Sequence, residues 1–133
     1  MIVSPVDRGV VYFTDQELRC PDTGEVRLDP RFADMLAKLR HRLNEPMDPT
    51  SACRSRYYNI EIGGHERSLH VWDHPTHDVE GTAAIDIAAP SLGYALRLVQ
   101  TALGMGWSVG VGRGFIHLDR RDLAGLEPGL FGY

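Results

Sequence analysis

Gly114-Phe115-Ile116-His117-Leu118-Asp119 is the stretch on which the fold turns. Its residues alternate as a β-strand does. Ile116 and Leu118 fall on one face, His117 and Asp119 on the other. A second run, Thr82-Ala83-Ala84-Ile85-Asp86-Ile87-Ala88, sets one acid between two isoleucines in a segment otherwise fit for a core. A charge inside such a strand costs free energy unless it is paired or bound to a metal. Periodicity alone leaves two readings even. Asp86 and His117 are either polar residues with ordinary partners at strand ends or parts of a site.

Further strands and helices follow outward from these two runs. Residues 107–112 read as a strand joined to 114–119 by a Gly-rich turn. Ser91 caps a helix with Tyr94, Ala95, Leu98, Val99, Ala102 and Leu103 on its apolar face, and Gly104 and Gly106 stop it. Asp29-Pro30 is an N-cap followed by proline at the first helical position. Phe32, Met35, Leu36, Leu39 and Leu43 then repeat at helical spacing, which predicts a helix over 30–43 ended by Glu45-Pro46. Thr14-Asp15-Gln16-Glu17 fits a capping box opening a short helix. Residues 10–13 and 47–53 read as short strands and Pro21 to Gly24 as a turn. Residues 55–62 are ambiguous before a turn at Gly63-Gly64. Residues 71–81 read as an irregular loop, and the tail after Asp122 as loop. Two main helices and a small, mostly antiparallel sheet make an α+β domain, and 133 residues suggest one domain over 1–133.

Composition narrows the function. Apolar residues make up 43% of the chain, enough for a core. The formal charge of −4 argues against a duplex nucleic-acid binder. No apolar run approaches the roughly 18–20 residues of a membrane span, and the start lacks the features of a signal peptide. The expectation is a monomer made in the cytoplasm, with no nucleic-acid or membrane partner. Cys20 and Cys53 allow one disulfide or two free thiols. A buried Cys53 is favoured over a nucleophilic one. Gly110-Val111-Gly112-Arg113-Gly114 lacks the Lys-Ser/Thr ending and following helix of a phosphate loop, so it reads as a turn.

Four of the six histidines, His65, His70, His74 and His77, crowd into one stretch; His41 and His117 lie apart. A loop His, an Asp on one strand and a His on a second make a two-His, one-carboxylate set. Three such ligands leave a fourth position open, as in catalytic zinc sites; the set also suits iron. His41 and His65 read as solvated.

Ser68-Leu69-His70, then Gly81-Thr82-Ala83-Ala84-Ile85-Asp86, then His117-Leu118-Asp119, in that order, resemble the zinc peptidases of bacterial cell walls. These are the D-alanyl-D-alanine carboxypeptidases and L-alanyl-D-glutamate endopeptidases, phage endolysins included. Ser51-Ala52-Cys53-Arg54 with Asn59 and Gly63-Gly64 is similar to the segment supplying that family's active-site arginine. Phe13-Thr14 through Glu17-Leu18-Arg19-Cys20 resembles the opening of phage-type members. The resemblance implies the hedgehog/D-Ala-D-Ala-peptidase fold and Zn²⁺ held by His70, Asp86 and His117. It further implies that Arg54 and Ser68 contact a peptidoglycan stem peptide. A phage or prophage lysis enzyme of this kind acts on the wall after a holin opens the membrane.

Two departures stand out. Fifteen residues separate His70 from Asp86, a longer spacer than the family pattern, and the extra segment Val71 to Glu80 carries His74 and His77. His77 is therefore the fallback ligand. The position where many members carry the catalytic acid, three before the last His, is Gly114. Asp119 becomes the first candidate for the base or, alternatively, the orienting partner of His117. Asp73, Asp78 and Glu80 are further candidates for the base. A non-catalytic member of the fold is the alternative reading. A metal-binding regulatory module using His74 and His77 has least support.

Overall fold

The alternating run around His117 forms the central strand of a five-stranded sheet. The computed structural model describes residues 1–74 and 77–133. The described elements are β1 (Ile2–Val3), β2 (Val11–Phe13), α1 (Asp15–Leu18), α2 (Pro30–Leu43), β3 (Pro49–Ser51), α3 (Arg56–Glu61), β4 (Ala84–Ala88), α4 (Leu92–Gly104), β5 (Ser108–Val111), β6 (Phe115–Asp119) and β7 (Leu130–Gly132), with a 3-10 turn at Arg121–Ala124. Strand order in the large sheet is β3-β4-β6-β5-β7, antiparallel except for the β5–β7 pair; β1 and β2 form a separate hairpin. The architecture is α+β.

Local chemistry accounts for most boundaries. Thr14 and Glu17 close a reciprocal capping box on α1. Asp29 accepts from the Arg31 N–H and Pro30 occupies the first turn of α2; Ser91 caps α4 through the Tyr94 N–H. Asn44 ends α2 in the left-handed conformation.

The sheet has two faces of opposite character. Ile85, Ile87, Val109, Ile116 and Leu118 are buried in one core with Phe32, Leu36 and Leu39 of α2 and Leu98 and Ala102 of α4. Phe32 meets Trp107 edge to face at 5.6 Å. The opposite face of β4 and β6 carries Asp86, His117 and Asp119.

Several expectations need correction. The tail is only partly loop: it also holds the end of the 3-10 turn and β7, which runs parallel to β5. Leu103, expected on the apolar face of α4, is exposed. The ambiguous segment 55–62 is a short helix, with Ser55 capping the Tyr58 N–H. The hairpin strand β1 is two residues long, too short for alternation to announce it. The loop expected at 71–81 includes Pro75 and Thr76, which lie outside the described residues.

One buried carboxylate ties the inserted segment to α2. Asp29 takes two hydrogen bonds from the Arg31 side chain, one from the Arg31 N–H and one from the Glu80 N–H. Burial opposes its ionisation, but these hydrogen bonds win and lower its pKa to about 2. The ordinary carboxyl value is 3.8. Because the folded value is depressed, the stabilisation is complete above pH 4 and disappears as pH falls through 2. It amounts to about 2 kcal/mol. Asp29→Asn should therefore melt lower than wild type at pH 7, and the gap should shrink at pH 2–3. A constant gap across that range, in thermal melts, would contradict this assignment.

Candidate metal centre

Three chain segments bring the site together. In the β4–β6 register Asp86 lies directly opposite His117, so both side chains leave the sheet on one face. Gly110 of β5 is the other cross-strand neighbour of His117. His70 arrives from a loop fixed on both sides by backbone pairing. Its carbonyl accepts from the Arg54 N–H at 3.0 Å and from the Thr82 hydroxyl at 2.7 Å, while Leu69 accepts from Ala83 at 2.8 Å. Ser68 Oγ accepts from the His70 N–H at 3.2 Å, which shapes the turn.

One ligand atom from each of His70, Asp86 and His117 lies within 4.8 Å of the others, and all three residues are buried. His70 Nδ1 donates to the Ala52 carbonyl at 2.7 Å, so the proton sits there. Burial keeps the ring neutral by lowering its pKa, against the pull of Asp86. Its Nε2 lone pair then faces Asp86 Oδ1 at 3.2 Å. Two acceptors facing each other without a proton are what a cation between them satisfies. His117 Nδ1 lies 2.8 Å from the same oxygen, and its Nε2 donates to Asp119 Oδ2 at 2.7 Å. Burial disfavours the His117 charge, but the two carboxylates outweigh it and raise its pKa. Burial likewise works against ionised Asp86, and its two imidazole partners override it, pushing the carboxyl well below the usual range. The donor set fits a divalent cation taking two imidazoles and one carboxylate.

The neighbours hold this group in place. Arg54 reaches Asp86 Oδ2 at 3.4 Å, Ser51 Oγ at 3.0 Å and Asn59 Oδ1 at 3.1 Å. All three of its nitrogens thus meet protein acceptors. Gly64 packs against this arrangement so closely that a Cβ there would lie 2.0 Å from Asn59 Oδ1. Asp119 accepts four hydrogen bonds: three from Arg121 (N, Nε and Nη2) and one from His117. Those four fill the lone-pair sites of a carboxylate.

A cleft of about 650 Å³ opens over the group. Arg54, Ser68, His70, Asp86, His117 and Asp119 all line it. Asp73, Asp78 and Glu80 are not among its lining residues. Asp73 pairs with Arg56 at the surface, and the Asp78 carbonyl accepts from Arg31. His77 lines the cleft but stands outside the three-residue group. Its Nε2 meets the Arg67 carbonyl at 3.0 Å, that of His74 meets the Glu66 carbonyl at 2.6 Å, and the two ring centroids lie 4.3 Å apart, tilted by 33°. These histidines therefore fasten the inserted segment to residues 65–68. His65 is exposed at the cleft, and His41 bonds Tyr12 far from it. Cys20 and Cys53 are free, buried thiols packed with Trp72.

Sequence reasoning missed one wall. Phe131 and Tyr133 come from β7 and its end, and with Phe115 they form an aromatic cluster with centroids 5.1 to 5.7 Å apart. Gly110 makes room for them, since a Cβ there would lie 2.6 Å from Phe131 and 2.9 Å from Tyr133. Spacing from His117 gave no signal for this wall; the aromatic residues at the tail were the only trace of it.

An α+β domain with two imidazoles and a carboxylate converging in a cleft carries the donor set of a metal centre. A family model described as Peptidase M15 matches residues 11–119. The chain belongs to that family, whose members are metal-dependent peptidases. No curated protein matches the chain. Among the described residues, no helix is long and apolar enough to cross a membrane.

Proposed function

We propose that this chain is a zinc-dependent peptidase that hydrolyses peptide bonds in peptidoglycan stem peptides. The observation that carries the reading is the convergence of His70, Asp86 and His117 within 4.8 Å at the floor of the cleft, in a chain of the M15 family. His70 Nε2, His117 Nδ1 and a carboxylate oxygen of Asp86 would hold the ion. Zinc bound there supplies Lewis-acid polarisation of the scissile carbonyl and acidifies water.

The chain's own residues do the rest. Arg54 reaches the second oxygen of Asp86 at 3.4 Å and helps aim the carboxylate, and its edge on the cleft offers N–H groups to a substrate oxygen. Ser68 lies at the same rim, where its hydroxyl can meet the stem peptide. Asp119 orients His117 rather than taking a proton from water, because its four hydrogen bonds leave no free acceptor site. Of the two roles expected for Asp119, base or orienting partner of His117, this reading takes the second. Among the described residues, the titratable groups left on the cleft wall for proton transfer are His65, His77 and Tyr133. A role in phage lysis and action at the wall after holin release fit the same chemistry.

Incubating the protein with purified peptidoglycan should release new amino termini or free D-alanine. A chelator should stop the release, and zinc should restore it. Mass spectrometry of the products identifies the bond. A non-catalytic zinc-binding member is the second reading. It is favoured by Gly114, where the resemblance places an acid: its φ is +79° and nothing lies near a would-be Cβ. Bound zinc with no release from peptidoglycan would select it.

A further inference from the structure

We infer that Arg121 is a positioning residue for the metal centre, acting through Asp119 to fix which nitrogen of His117 is offered to the ion. The inference rests on the metallopeptidase reading above and deepens it. Arg121 Nε meets Asp119 Oδ1 at 3.0 Å and Nη2 meets Oδ2 at 2.8 Å, a two-toothed grip on both oxygens. The Arg121 backbone N–H adds a third bond to Oδ1 at 3.0 Å. The Asp119 side chain is only 4% exposed, so water does little to hold it.

A carboxylate clamped in this way can neither rotate nor donate. Its Oδ2 therefore requires a proton on His117 Nε2, 2.7 Å away. The opposite nitrogen, Nδ1, is left as the atom that faces Asp86 and His70. A metal-ligating imidazole commonly gives its other N–H to a carboxylate, which sets ring orientation and ligand basicity. Here that carboxylate has its own support. The guanidinium lies 5.1 Å over the Phe131 ring, so β7 backs the clamp. A lysine could reach one oxygen but could not reproduce the fork.

The test compares wild type with Arg121→Ala, Arg121→Gln and Arg121→Lys. Zinc affinity is measured by chelator competition, the visible absorption spectrum is recorded with Co²⁺ in place of zinc, and folding is checked by thermal melt. Arg121→Ala and Arg121→Gln should bind zinc about 10- to 100-fold more weakly and change the cobalt spectrum. Arg121→Lys should recover part of both. Where a variant folds poorly, Arg121→Lys, which keeps the charge, decides by its incomplete recovery. Wild-type zinc affinity and an unchanged cobalt spectrum in every folded variant would overturn the inference alone. A wild-type chain that takes up no zinc would overturn the underlying reading as well.

Discussion

Asp86→Ala should abolish zinc binding and peptidoglycan hydrolysis together. Asp86 is the hub of the centre. One oxygen faces both imidazoles, at 3.2 Å from His70 and 2.8 Å from His117, and the other faces Arg54 at 3.4 Å. Losing the carboxylate removes a ligand and the only anionic member of the three-residue group. Several kcal/mol of Lewis-acid stabilisation goes with the ion, so the rate should fall by about 10³-fold or more. The substitution also leaves the part-buried Arg54 without its carboxylate, with only Ser51 and Asn59 as acceptors, which carries a folding cost of about 2 kcal/mol. Asp86→Asn keeps the shape and separates the two effects. It should melt closer to wild type yet still lose zinc. Stoichiometric zinc in either variant would remove Asp86 from the ligand set.

Gly81→Ala should be the most damaging small substitution at the approach to the site. A Cβ at residue 81 would lie 2.6 Å from the Asp29 nitrogen, 2.6 Å from the Leu28 carbonyl carbon and 2.8 Å from the Arg27 oxygen. These are backbone atoms, so no side chain can swing away. The same backbone pairs with Thr82: Thr82 donates to Arg27 at 2.8 Å and accepts from Asp29 at 3.0 Å. Relief must come from parting the two segments, which loosens Thr82 from the His70 carbonyl and shifts β4 under Asp86. The expected cost is about 3 kcal/mol, at the upper end for overpacking. Zinc affinity should fall in parallel. A melting temperature within a degree of wild type would show that the segments part without cost.

How much of this was written in the sequence depends on the range of the interactions. The strand around His117 and the strand around Asp86 are legible because alternation is local and both runs are apolar on one face. The helix starts are legible because Thr14, Asp29-Pro30 and Ser91 act within three residues. β7 is not legible. Leu130-Phe131-Gly132 is too short to show a period, and its partner β5 lies some twenty residues away in a parallel pairing. The aromatic wall and the room that Gly110 makes for it were hidden with β7. α3 carries Tyr57 and Ile60 exposed, and Ile62 just past its end is exposed too, so its apolar pattern gives no helical face. Its cap at Ser55 was the available signal. Arg121 stands two residues beyond Asp119, but a clamp on a carboxylate depends on rotamers that spacing does not encode. The inserted histidines looked like a site because they are dense. Their partners are main-chain carbonyls, and density along the chain did not reveal this.

The most direct test of the central claim is an anomalous diffraction map recorded at the zinc edge, on crystals of the protein grown with zinc. A single strong peak bounded by His70 Nε2, His117 Nδ1 and an Asp86 oxygen is the predicted result. A peak at the His74–His77 pair with none between Asp86 and the two buried imidazoles would contradict it.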